Sequence, residues 1–159
     1  MNMRTRFRLM FLSVTVLLLS AGLVRAKDNW EDDYDKAAAA AKVSGKPILL
    51  DFTGSDWCGW CIKLDREVFS KKEFKDYAKD NLVLMVADFP RQKKLSAKTV
   101  KQNEELAKKY GVRGYPTILI LSPDGTVVGK TGYQPGGAEA YVKHLKELIG
   151  SPKNPGQPK

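Results

Sequence analysis

Three rhythms of apolar and polar positions run along this chain. The first is the short buried strand. Ile48 to Thr53 is an apolar stretch with one carboxylate inside it, Asp51, and it is bounded by Pro47 and Gly54. It is too short for a helix and predicts a strand buried on both faces. Leu82 to Ala87 repeats the pattern. The second rhythm is the hairpin. Thr117 to Leu121 and Thr126 to Lys130 flank the turn Ser122-Pro123-Asp124-Gly125, whose residues suit a reversal. The third is helical. Lys27 to Gly45 carries the alanine run 37–41, with Asp28 or Asn29 as cap and Glu31, Asp32 and Asp33 in the first turn. Cys58 to Phe69 predicts a helix with Ile62, Leu64, Val68 and Phe69 inward, and Lys72 to Lys79 a shorter one. Thr99 to Tyr110 is helical and stopped by Gly111. Ala138 to Ile149 turns Ala138, Tyr141, Val142, Leu145, Leu148 and Ile149 inward. Strands joined through helices are expected to be parallel, and the last two antiparallel. The result is an α/β layer architecture with one mixed sheet.

Charge and hydropathy then divide the chain. Arg4, Arg6 and Arg8 precede Leu9 to Val24, an uncharged and mostly apolar run of 16 residues, followed by Val24-Arg25-Ala26. That layout predicts a secretory signal over residues 1–26, cleaved after Ala26. The rival is an uncleaved anchor, but the run is shorter than the ~20 residues a spanning helix needs. No cysteine follows it to take a lipid, and the arginines are separated, unlike a twin-arginine signal. The segment holds four of the 27 basic residues and none of the 18 acidic ones, so the net +9 falls to +5 without it. A mildly basic domain over 27–150 results, without the basic stripe of a nucleic-acid binder. Residues 151–159 contain three prolines and a glycine and are expected to form a disordered tail. The surface segment Pro90 to Lys101 is strongly basic; it suits either a partner or plain solvation.

Both cysteines lie in Phe52-Thr-Gly-Ser-Asp-Trp-Cys-Gly-Trp-Cys61. In an exported chain an even cysteine count points to disulfides. A bond across two intervening residues closes too small a loop to serve as a useful staple. Cys58 at the start of a helix faces unpaired N–H groups, which favour the reactive thiolate. Cys61 lies one turn on and is placed to attack a mixed disulfide at Cys58. Gly59 keeps the approach open and Trp57 supplies an apolar wall. Asp51, buried in its strand, is expected to have a raised pKa and to accept a proton from Cys61 through water. The alternative is a strand-end carboxylate that reaches solvent.

These residues resemble the thioredoxin family. Asp51-Phe52, Trp57-Cys58-Gly59-Trp60-Cys61-Ile62-Lys63 and Tyr110-Gly111-Val112-Arg113-Gly114-Tyr115-Pro116-Thr117 match its three signatures in order, and the likeness runs over about Asp28 to Gly150. It is nearest to exported bacterial thioredoxin-like proteins. The resemblance implies a thioredoxin-like fold and a thiol–disulfide oxidoreductase acting on cysteines of other proteins. Cys58 would attack, Cys61 resolve and Asp51 accept the proton. Pro116 would be a cis-proline, with the Tyr115 peptide bonding an extended substrate and Gly132 on the same rim. No dissociable cofactor is implied beyond the redox-active Cys58–Cys61 pair. A periplasmic or secreted monomer is expected, with a membrane thiol reductase as electron donor.

Departures from the family pattern carry their own expectations. Asp51 precedes Cys58 by seven positions rather than six, so the loop near Gly54-Ser55 holds an extra residue and is expected to bulge. Leu84 stands where thioredoxins place the lysine that pairs with the buried aspartate. Trp60 replaces the proline of reducing thioredoxins and the histidine of disulfide isomerases. It adds no charge, and it either shields Cys58 and stacks on substrate or packs at the rim. An intermediate to reducing potential follows. His144 is read as a surface residue. Two rival functions remain at this point. One is a Cu(I) or zinc site on the two thiolates, which lacks neighbouring ligands. The other is a redox-quiet module that binds extended peptides at Pro116.

Overall fold

A computed structural model describes residues 29–150. The expected signal over 1–26 and the tail over 151–159 lie outside the described residues. Strand β1 (Trp30–Glu31) is followed by α1 (Tyr34–Ser44), β2 (Ile48–Thr53) and α2 (Gly59–Leu64). Helix α2 runs on into a π-helical turn, Asp65–Phe69, and then come α3 (Lys72–Asn81), β3 (Val83–Asp88) and α4 (Ala97–Lys109). The chain closes with β4 (Thr117–Leu121), β5 (Val127–Thr131) and α5 (Gly137–Gly150). The sheet order is β1-β3-β2-β4-β5. β1, β3 and β2 are parallel, whereas β4 runs antiparallel to β2 and β5 to β4. This is the mixed α/β sheet that the strand–helix order predicts.

Each strand of the centre sends alternate side chains to opposite faces. From β2, Ile48, Leu50 and Phe52 join Ala37 and Ala41 of α1 and Leu106 of α4 in one core. Leu49 joins Leu64, Val68, Phe74, Tyr141 and Leu145 in the other, under α2, α3 and α5. All six residues of β2 are buried, as a strand covered by helices on both sides requires.

Three expectations are corrected. The helix foreseen over Lys27 to Gly45 begins only at Tyr34. Trp30 and Glu31 instead pair with Leu84 and Met85 as an edge strand, and Trp30 packs on Phe69 with ring centroids 5.1 Å apart. Its cap is neither Asp28 nor Asn29 but Asp33, whose Oδ1 accepts from the N–H groups of Asp35 and Lys36. Ile62, assigned to an inner face, is exposed. Cys61 and Leu64, three apart, are the buried residues of α2, and helical spacing then turns Ile62 outward. The chain next makes a π turn, where the N–H of Ser70 donates to the Asp65 carbonyl at 2.8 Å, five residues back. That extra residue turns the helix face, so Ile62 and Phe69, seven apart, do not share it. Finally, α4 begins at Ala97 under a Ser96 cap, two residues before the expected start at Thr99, so Lys98 belongs to the helix and not to the excursion before it.

Candidate active site

The C-terminal end of β2 delivers the chain to Gly54, where it turns. The N–H groups of Trp57 and Cys58 both donate to the Gly54 carbonyl, at 3.2 and 2.9 Å. A Cβ on Gly54 would meet the Trp57 indole at 2.6 to 2.8 Å. Only glycine lets that ring fold back over the turn. The indole Nε1–H then donates to the Phe89 carbonyl at 2.8 Å. The Tyr115 ring stands edge-on to the indole at 5.9 Å, and the Arg91 guanidinium lies 3.9 Å over it.

Cys58 is the N-cap of α2, and its Sγ accepts the N–H of Cys61 at 3.2 Å. The two sulfurs form a disulfide, and both residues are buried. Trp60, between them, is 56% exposed. It stacks on Tyr133 at 5.2 Å, and the Lys63 ammonium sits over both rings, at 5.1 and 4.9 Å. The Tyr133 hydroxyl donates to Glu67 at 2.8 Å, and that bond leads in holding the Glu67 carboxyl below its usual range. Gly59 has open space where a Cβ would stand.

The extra residue in the loop does not bulge loose. The Ser55 N–H and hydroxyl donate to the two oxygens of Asp88, at 2.9 and 2.6 Å. Asp56 takes the N–H groups of Arg91, Gln92 and Lys93, at 2.9, 2.7 and 3.0 Å. These bonds, that of Arg91 foremost, hold its carboxyl below the ordinary range. The loop before Cys58 is thus fastened to the end of β3 and to the segment after it.

Asp51 lies on the Leu49 face of β2, opposite Val86 and Ile118. It is 7% exposed, and its buried Oδ1 has no hydrogen-bond partner. Burial, then the charges of Asp88 and Asp65, push its pKa up to about 8. Leu84, at the position of the family lysine, is paired with Leu49, and no cation figures among the groups that shift Asp51. A cavity of about 660 Å³ joins Asp51 to Cys61, Asp65, Asp88, Lys93 and Asn103.

The Tyr115–Pro116 peptide bond is cis. Gly132 backs onto it, since a Cβ there would lie 3.2 Å from the Pro116 carbonyl oxygen. Trp57 therefore meets Tyr115, Gly132 meets Pro116, and Asp51 and Cys61 share one cavity. His144 is half-buried against the Thr131 hydroxyl at 2.9 Å. Among the described residues no group of three or more His, Cys, Asp or Glu is arranged to hold a metal ion. Sequence reasoning missed Asp88, Asp56, Arg91 and Tyr133. Asp88 was findable as a carboxylate closing an apolar strand. The others act across 35 or more residues of chain or, for Arg91, through ring stacking, and carry no local signal.

Comparison with known proteins agrees with this geometry. The thioredoxin-like domain family matches residues 34–149. The chain is 35% identical over 127 residues to the disulfide bond reductase DsbH of Chlamydia pneumoniae, covering 80% of this chain and 76% of that protein. It is 27% identical to the thioredoxin-related protein DsbJ of the same organism, over 88% of this chain but only 43% of that protein. A solved structure titled DsbH oxidoreductase superposes with a TM-score of 0.73 at 37% identity, covering 76% of this chain and 83% of the other. With the sheet order, the Cys-x-x-Cys disulfide and this match in hand, the chain belongs to the thioredoxin-like domain family.

Proposed function

We propose that this protein is an exported thiol–disulfide oxidoreductase that reduces disulfides in other proteins. The observation that carries the reading is the Cys58–Cys61 disulfide at the start of α2 with the unpartnered Asp51 carboxylate in the cavity behind it. Similarity to a protein named disulfide bond reductase supports the direction.

In the reduced form, the Cys58 thiolate attacks one sulfur of a substrate disulfide. A Cys58–substrate bond forms and the first substrate thiolate leaves. Asp51, with a proton affinity near operating pH, takes the Cys61 proton through water in the cavity. The Cys61 thiolate then attacks Cys58, the second substrate thiolate leaves and picks up a proton, and the Cys58–Cys61 disulfide closes. Two electrons have passed to the substrate, and a dithiol donor, on this reading a membrane thiol reductase, must return them. Tyr115 and Pro116 offer backbone to the extended substrate, with Gly132 on the same rim. Trp57 walls the site, Gly59 leaves it open and Trp60 presents an exposed ring to the incoming chain. The basic start and apolar run before Ala26 support export, to the periplasm or the outside.

The test is insulin-disulfide reduction. Cys58→Ser is expected to abolish it, and Cys61→Ser to accumulate mixed disulfides resolvable on non-reducing gels. Full reductase activity in Cys58→Ser sinks the proposal.

A further inference from the structure

The mechanism above leaves unused the basic segment after β3. It is not loose surface near the site. Asp56, two residues before Cys58, binds the three consecutive backbone N–H groups of Arg91, Gln92 and Lys93. Phe89 is fixed by the Trp57 indole on its carbonyl and by its own N–H on the Thr53 carbonyl, at 2.8 Å in both cases. Together these bonds bring the Arg91 guanidinium to 3.9 Å over the ring of Trp57, the residue immediately before the attacking cysteine.

Stacking occupies a face of the guanidinium and leaves its in-plane N–H donors pointing outward. Those donors suit a carboxylate, which a guanidinium takes in two parallel hydrogen bonds. Among the described residues, no carboxylate forms an ion pair with Arg91. Lys93 and Lys94 are exposed beside it. Along the segment Arg91 to Lys94 there are three cations and no carboxylate, and the oxygens of Asp56 are committed to its backbone. Lys63, over Trp60 and Tyr133, differs because its charge already acts on Glu67.

We infer that Arg91 is a specificity-determining residue that selects protein segments carrying Asp or Glu within about three residues of the reacting cysteine, the reach an extended chain gives across Trp57. This rests on the oxidoreductase reading for its biological meaning. The binding itself is separable from chemistry.

The experiment uses oxidised protein and labelled peptides of eight residues with Ser in the place of the reacting Cys. Glu is placed in turn at each of the three positions on either side, with Gln as the uncharged control. Fluorescence anisotropy is expected to show at least one Glu peptide binding about fivefold tighter than its Gln twin at low salt, with the ratio falling toward one near 0.5 M salt. Arg91→Gln is expected to bring the ratio close to one, and Arg91→Lys to keep part of it. No Glu preference at any position, or a preference that persists in Arg91→Gln, overturns the inference. Cys-containing disulfide peptides separate the two proposals. Charge-selective binding without exchange sinks the oxidoreductase reading alone, and exchange without charge selectivity sinks only this one.

Discussion

The two faces of β2 are equally buried and chemically opposite. On one side Ile48, Leu50 and Phe52 have no solvent exposure and join an apolar cluster with α1, α4 and the adjacent strands. On the other, Leu49 is followed by Asp51, an unpartnered carboxylate beside a cavity that also reaches Cys61. A single strand thus supplies stability from its even-numbered side chains and, in the proposed mechanism, a proton acceptor from an odd-numbered one. The difference shows where the fold tolerates a cost. Leaving a charged carboxylate without partners in the interior is expensive, so the group stays protonated to higher pH.

The comparison breaks most visibly on the dry face. Phe52→Ala removes a fully buried ring and is expected to cost about 3–5 kcal/mol of stability, read from urea denaturation, because the cavity left behind cannot refill. If the loss is under about 1 kcal/mol, the two faces are not as different as described.

The reactive face is expected to respond in the opposite direction. Between about pH 4 and pH 8 the folded state holds a proton on Asp51 that the unfolded chain has released. Stability from this group is therefore lost as pH rises through that window. Asp51→Asn, which stays neutral, is expected to stabilise the protein by about 2–4 kcal/mol near pH 8, with the gain vanishing below pH 4. The same variant should slow release of mixed disulfides by Cys61. A gain independent of pH would mean that packing, not ionisation, sets the effect.

A smaller change sharpens the contrast at the loop where both faces end. Gly54→Ala drives a methyl into the Trp57 indole and is expected to cost about 1–3 kcal/mol. Displacement of Trp57 from the Phe89 carbonyl should accompany it, visible as a shift in tryptophan emission. Unchanged stability and emission would argue that the ring is free to move aside.

Much of this was legible in the sequence because it is local. The apolar runs of β2 and β3, the turn before β5 and the spacing of α5 each specify their element within a few residues. The Trp-Cys-x-x-Cys stretch likewise located the disulfide at a helix start. Other features are settled by partners distant in sequence. β1 is two residues long and exists through its register with Leu84 and Met85. Asp28, Asn29, Asp32 and Asp33 are all competent caps, so only the pairing of Trp30 and Glu31 decides that Asp33 is used. The inward placing of both Val68 and Phe69 involves a π turn that helical periodicity cannot reveal. The burial of Asp51 was foreseen, but not that Asp88 and Asp65 would be the charges acting on it.

Asp56 has one more consequence, for resistance to proteolysis. Arg91, Lys93 and Lys94 are the side chains that trypsin-like proteases cut beside, and they occupy an exposed connection between β3 and α4. A protease must draw several residues into an extended conformation before it can cleave, so loops yield where the backbone is free. Here three successive N–H groups are held by one carboxylate. The chain can therefore display a cluster of positive charge without offering it as a place to be cut.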